Sequence, residues 1–222
     1  MSLILNIDTA LDTASVCLSD NGNVLQLSFS ENQKDHASWL HVAIAELLQK
    51  KGYVIKDLKA VAVSIGPGSY TGLRVGLAAA KGFCYALHIP LITVNSLKII
   101  AYAVMGEAID IICPLIDARR MEVFTAVYDK ELREKISPHA MILDEKSFAP
   151  FLLSGNVLFC GNGVKKLQPL LLNSNGFFSH TISDASHLAR LSINCYKNKE
   201  FADLAYAEPL YLKEFYSSIH RD

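Results

Sequence analysis

The chain has 222 residues, 51% of them hydrophobic and 19% charged, with a formal net charge of −1 at pH 7. That balance suits a globular fold with a substantial core and shows no long basic or acidic block. It excludes holding nucleic acid by bulk electrostatics alone, so an RNA-directed role needs a partner to supply positive surface.

Residues 3–8 form an apolar run ending in Asp8-Thr9, which predicts a first strand. Residues 13–19 read as a second strand, Asp20-Asn21-Gly22-Asn23 as a hairpin turn, and residues 24–30 as a third strand. Residues 36–51 are helical, with Leu40, Ile44, Leu47 and Leu48 at helical spacing and Gly52 as the stop. Residues 60–65 are a buried strand, followed by Gly66-Pro67-Gly68-Ser69-Tyr70-Thr71-Gly72 and a helix to about Leu87. A short strand follows at 91–94, with Ser96 as the cap of a further helix. The order so far is βββαβαβα. The second half is less regular, with strands expected at 109–116, 122–128 and 157–160. A helix is expected at 184–198, capped by Ser183, before a tail that is extended at Pro209. The spacing places a boundary near residues 104–108, giving lobes 1–104 and 105–222 that pack closely.

The cysteines at 17, 84, 113, 160 and 195 are odd in number, form no C-x-x-C pair and mostly sit in apolar runs, as buried thiols do. The N-terminus lacks a basic region and turns polar too early for a signal peptide, and no run is long and apolar enough to span a membrane. A cytoplasmic location is expected.

The glycine segment lacks the Gly-Lys-Ser/Thr of a Walker A loop, and Thr71 stands where a dinucleotide fingerprint needs its third glycine. Two readings remain open: a tight strand-to-helix turn, or an anion site at a helix N-terminus. Gly72, Gly76 and Ala80, widened by Ala79 and Gly82, form a small-residue stripe that expects close approach of a backbone from this chain or another subunit. Arg74 and Lys81 share a helix face, solvated or facing an acidic partner. Asp8 can hold a phosphate-coordinating magnesium or simply form a turn; Thr13 and Ser15 add hydroxyls, but Asp12 makes the turn a poor phosphate cradle. The seven histidines form no metal set, and Asp117-Ala118-Arg119-Arg120 is an ion-paired turn or a functional segment.

Several of these segments together resemble the TsaB (YeaZ) family. They are residues 4–9, 14–16, 66–76 and 80–82, with Asp117-Ala118-Arg119, Glu122-Val123-Phe124 and Pro209-Leu210-Tyr211-Leu212-Lys213. The resemblance spans nearly the whole chain and departs at Arg120-Met121 and Lys213. It implies an actin-like ATPase (ribonuclease H-like) α/β fold of two lobes, each a mixed sheet flanked by helices, the second reduced. The family's larger catalytic paralogue, TsaD, carries two metal-binding histidines after the equivalent of residues 91–94; here Ser96 and Ile100 stand in those places.

The resemblance therefore implies a non-catalytic subunit without metal or firmly bound cofactor, compatible with weak nucleotide binding. It would support transfer of threonylcarbamoyl from threonylcarbamoyl-AMP to the adenosine next to the anticodon of ANN-reading tRNAs. The implied partners are TsaD, the ATPase subunit TsaE, a second copy when alone, and tRNA through the complex. The implied phosphate-loop remnant is Asp8, Thr9, Gly66, Pro67, Gly68, Ser69, Thr71 and Gly72. The implied partner interface lies on the helices at about 33–51 and 70–87, at Trp39, Leu40, Ala43, Gly72, Arg74, Val75, Gly76, Ala79, Ala80 and Phe83. An ATP-dependent small-molecule kinase is the alternative; a metal-dependent glycoprotease, an older family label, lacks ligands and a nucleophile motif.

Overall fold

The computed structural model describes residues 2–30, 36–171 and 175–213, so the expected helix start at 33–35 and His220 lie outside the described residues. Strands β1 (Leu3–Asp8), β2 (Ser15–Asp20) and β3 (Asn23–Phe29) form an antiparallel meander. Asn21 and Gly22 both take positive φ at the β2–β3 turn, as a two-residue hairpin requires. Helix α1 (His36–Lys50) leads to β4 (Ala60–Gly66), which pairs parallel to β1. Helix α2 (Tyr70–Leu87), strand β5 (Leu91–Asn95) and helix α3 (Ser96–Ala103) complete the first lobe, in sheet order β3-β2-β1-β4-β5.

The second sheet contains β6 (Ile111–Asp117), β7 (Glu122–Asp129), β8 (Glu134–Ile142), β9 (Val157–Cys160) and β10 (Gly176–Phe178), in the order β10-β9-β6-β7-β8. Short helices α4 (Ala149–Ser154) and α5 (Val164–Leu167) flank β9 in sequence. Strands β8 and β10 and helices α4 and α5 are additional to the expected elements. Strand β8 is an edge strand with a charged start and Pro138 inside it, and both features weaken a strand signal.

The last helix, α6 (Ala185–Asn198), does not stay with the second sheet. It crosses back, and its Leu188 and Ile193 bury against Ile4, Ala60, Ala62 and Ile92 of the first. The first sheet is thus covered by α1 and α2 on one face and by α6 on the other. The range 105–222, read as one lobe, therefore describes the second sheet but not α6. The cause is β1, which is buried on both faces and needs cover on each side.

Two caps also differ from expectation. Asn95, not Ser96, caps α3, its side-chain oxygen accepting the Leu97 N–H at 2.8 Å. Asp184, not Ser183, caps α6 through the Ser186 N–H at 2.7 Å. In each case the adjacent residue is the one whose backbone is still extended where the helix starts.

Helix α3 joins the lobes. Its Leu97, Ile100, Ala101 and Val104 pack with Ile112, Ile116, Ala126 and Tyr128 of the second sheet. A buried polar link holds α6. Asn6 Nδ2 donates to Ser19 Oγ at 3.0 Å, and Asn6 Oδ1 accepts from Ser192 Oγ at 2.6 Å. Ser192→Ala would leave that oxygen buried without this donor, so the variant should lose about 1–3 kcal/mol in urea unfolding.

Candidate functional site

The glycine loop lies between β4 and α2 and presses on the end of β1. Gly66 has φ +113°, and a Cβ there would lie 2.8 Å from Leu210 O, so both conformation and space demand glycine. Three of the loop's N–H groups, and that of Leu73 in the first turn of α2, have partners within the chain. Gly66 donates to Ser96 Oγ (3.1 Å), Ser69 to Ala10 O (2.7 Å), Gly72 to Ser69 Oγ (3.3 Å) and Leu73 to Ser69 O (2.9 Å). Of these, the Gly72 N–H is an end donor of α2 taken up by its cap, and the Leu73 bond is the first ordinary intrahelical one.

Asp8 and Thr9 are buried beside the loop. Asp8 Oδ1 accepts from Ser64 Oγ at 2.7 Å and from the Ala10 N–H at 3.2 Å. Burial raises its pKa; the two hydrogen bonds oppose the shift without cancelling it. Thr9 Oγ1 donates to Gly72 O at 2.7 Å.

A cleft of about 540 Å³ lies between the lobes. Of the expected loop residues, Pro67, Gly68, Ser69 and Thr71 line it, whereas Asp8, Thr9, Gly66 and Gly72 do not. Arg119, Asn162 and the tail residues 210–213 form the facing walls. Asp117 pairs with Lys166 at 2.6 Å and accepts the Arg119 N–H at 2.7 Å. Arg119 and Arg120 both adopt positive φ, so this segment is a tight turn, tied through Asp117 to Lys166 of α5.

The helix faces differ from the sequence expectation. Leu40, Ala43, Gly72, Gly76, Ala79 and Ala80 are buried in the chain's own structure rather than offered to a partner. A Cβ at Gly72 would stand 2.1 Å from Thr9 O, and one at Gly76 2.2 Å from Thr9 Oγ1. The close approach that the stripe requires is therefore made by β1 of the same chain. Trp39, Val75 and Phe83 are partly buried at the edge of that core, and Arg74 is exposed.

Arg74 and Lys81 are the only charged residues of α2, and both turn to the tail. Arg74 Nε donates to Tyr211 Oη at 3.0 Å, with its guanidinium 4.1 Å from the Tyr70 ring centre. Lys81 Nζ donates to the carbonyls of Ala205 (3.2 Å) and Ala207 (3.0 Å). Apart from Arg74, the exposed positions further along α2 are uncharged: Ala78, Gly82, Ala86 and Tyr85, the last 75% exposed; Val42 of α1 is 58% exposed. Among the described residues nothing outside its own helix lies within 4 Å of a Cβ placed on Gly82. The helical spacing 78-82-86 was as visible in the sequence as 72-76-80, but burial decides between them.

Residues 30–213 match the family model described as TsaD: tRNA N6-adenosine threonylcarbamoyltransferase. The TsaB protein of Bacillus subtilis (strain 168), described as a tRNA threonylcarbamoyladenosine biosynthesis protein, is 32% identical over 95% of this chain and 93% of its own length. The chain belongs to the TsaB family. TsaB of Escherichia coli (strain K12) is also 32% identical, over 58% of this chain and 55% of that protein. The structure of YeaZ from Pseudomonas aeruginosa superposes with a TM-score of 0.84 at 25% identity, covering 96% of this chain and all of that one. The two mixed sheets flanked by helices are an actin-like ATPase-type fold.

In this TsaB family member, Ser96 is buried with its hydroxyl on the Gly66 N–H, and Ile100 packs into the inter-lobe apolar joint. Among the described residues no group of three or more His, Cys, Asp or Glu side chains could hold a metal ion. Burial pushes the Cys84 thiol up to about 11 and that of Cys17 to about 12, so neither is a ready nucleophile. Among the described residues no helix is long and apolar enough to cross a membrane.

Two outcomes follow for the TsaB glycines. Gly76→Ala should destabilise the fold by about 1–3 kcal/mol, because Thr9 must move. Gly82→Ala should stabilise it by about 0.5–1 kcal/mol, since the site is open and glycine is a poor helix former. Urea midpoints distinguish the two. A third outcome concerns Asp8. Its raised pKa means that the folded state binds this proton more tightly than the unfolded chain. The resulting stability is fully present below the ordinary value of 3.8 and is lost as pH rises through the folded value. Asp8→Asn does not titrate, so its stability relative to the parent should improve from about pH 4 to about pH 7 in paired urea titrations.

Proposed function

We propose that this chain is the non-catalytic partner subunit of a complex that makes threonylcarbamoyladenosine in tRNA. The outward face of α1 and α2 docks a TsaD-type catalytic paralogue. That paralogue transfers threonylcarbamoyl from threonylcarbamoyl-AMP to the adenosine next to the anticodon of ANN-reading tRNAs. A TsaE-type ATPase subunit joins the assembly, the same face pairs two copies when the chain is alone, and tRNA is held mainly through the complex. The cytoplasm is the compartment for this work.

The observation that carries the reading is the exposed, uncharged stripe of α2 at Ala78, Gly82 and Ala86, beside Tyr85. Interior glycine costs a helix up to about 1 kcal/mol. At Gly82 no atom of the described residues requires it, which favours close approach by another helix. Family membership supports a TsaD-type protein as the partner. One observation weighs against the kinase alternative: the Asp8 carboxylate is held by Ser64 and is not among the residues lining the cleft.

The test is reconstituted tRNA modification with and without this chain, alongside sizing of its mixture with a TsaD-type protein. Gly82→Leu should keep the parent's fold by circular dichroism while abolishing the heterodimer and lowering modification at least about tenfold, the effect of 1.4 kcal/mol lost at an interface. A full-strength heterodimer with Gly82→Leu would refute this face as the docking surface.

A further inference from the structure

The tail crosses from one lobe to the other at the mouth of the cleft. Its first-lobe anchors are numerous. The Ala202 N–H donates to Leu91 O at 2.9 Å on the outer edge of β5, and Lys81 holds the carbonyls of Ala205 and Ala207. The Leu210 N–H donates to Ile65 O at 2.8 Å, and the Leu210 carbonyl sits where only glycine is tolerated at position 66. The Tyr211 ring lies 5.3 Å from that of Tyr70, and its hydroxyl accepts from Arg74. Its second-lobe anchor is of another kind: the Lys213 ammonium pairs with the Glu122 carboxylate at the start of β7. Residues 210–213 all line the cleft.

The other side of the lobes is joined by α3 through apolar packing. Packed apolar surfaces slide and pivot by small amounts; a strap bonded at both ends limits the opening.

We infer that residues 208–213 are an intramolecular strap that sets how far the inter-lobe cleft opens, with the Lys213–Glu122 pair as its releasable end. The first-lobe end is held by backbone hydrogen bonds and a ring contact. The second-lobe end is an ion pair whose lysine side chain is 51% exposed, weak by itself and screened by salt. That end therefore opens first, and the lobes then pivot about α3. Arg74 and Lys81 belong to α2, so the strap ties the helix of the docking face to the second lobe. Only this last link rests on the proposed docking role.

The test uses the full chain with spin labels on Gln49→Cys and Glu145→Cys, both exposed positions on opposite lobes, in a Cys195→Ser background. Pulsed dipolar spectroscopy reads the inter-lobe distance, and hydrogen exchange of the Leu210 amide reads the strap. Lys213→Gln and Glu122→Gln should each broaden and lengthen the distance distribution and speed that exchange by about fivefold, as should about 1 M salt. The double variant Tyr211→Ala/Lys213→Gln should shift it further. An unchanged distribution in the double variant, with the amide exposed, would overturn the strap. A shift in the double variant but in neither single ion-pair variant would overturn Lys213–Glu122 as its releasable end. Sizing the same variants with a TsaD-type partner keeps the two ideas apart, since loss of docking by Gly82→Leu with normal lobe distances bears on the docking face alone.

Discussion

Helix α2 meets the end of β1 at a separation that glycine alone allows. Gly72 faces Thr9 O, Gly76 faces Thr9 Oγ1, and Gly68 faces Ala10 O, each at a distance where a Cβ would overlap. This contact fixes the rotation of α2 about its axis. With Gly72, Gly76 and Ala80 turned inward, Arg74 and Lys81 meet the tail, and Ala78, Gly82 and Ala86 are left facing outward. It also uses one of the loop's backbone donors, the Ser69 N–H, which donates to Ala10 O. The glycine segment thus braces a helix against the end of a strand.

Much of the first lobe was legible in the sequence. The alternating runs, the Asn21-Gly22 turn and the glycine loop are local signals, and the structure repeats their order of strands and helices. The orientation of α2 was not legible, because two small-residue series share the same helical spacing and only tertiary contact selects one. The caps failed for a similar reason: Asn95 and Ser96, like Ser183 and Asp184, are neighbouring residues equally able to cap, and the end of the preceding extended segment chooses. Of the expected phosphate-loop residues, four reach the cleft and four serve packing or hydrogen bonds beneath it.

The destination of α6 was hidden by distance along the chain. Asn6 and Ser192 are 186 residues apart and become partners only once β1 is covered on both faces. Periodicity identifies α6 as amphipathic but carries no information about which sheet receives it. The chain thus closes on its own first strand, while α3 presents apolar side chains to the second sheet. The lobes are distinct as sheets yet share elements, so unfolding one removes cover from the other.

The short bridge between Leu91 and Ala202 has a consequence for self-association. An outer strand with unpaired amides and carbonyls is a template on which a foreign strand can extend the sheet, the route by which many α/β domains aggregate. Here β5 is such an outer strand, and the returning chain engages its Leu91 where it begins. Strand addition at that point is blocked by the chain's own returning segment.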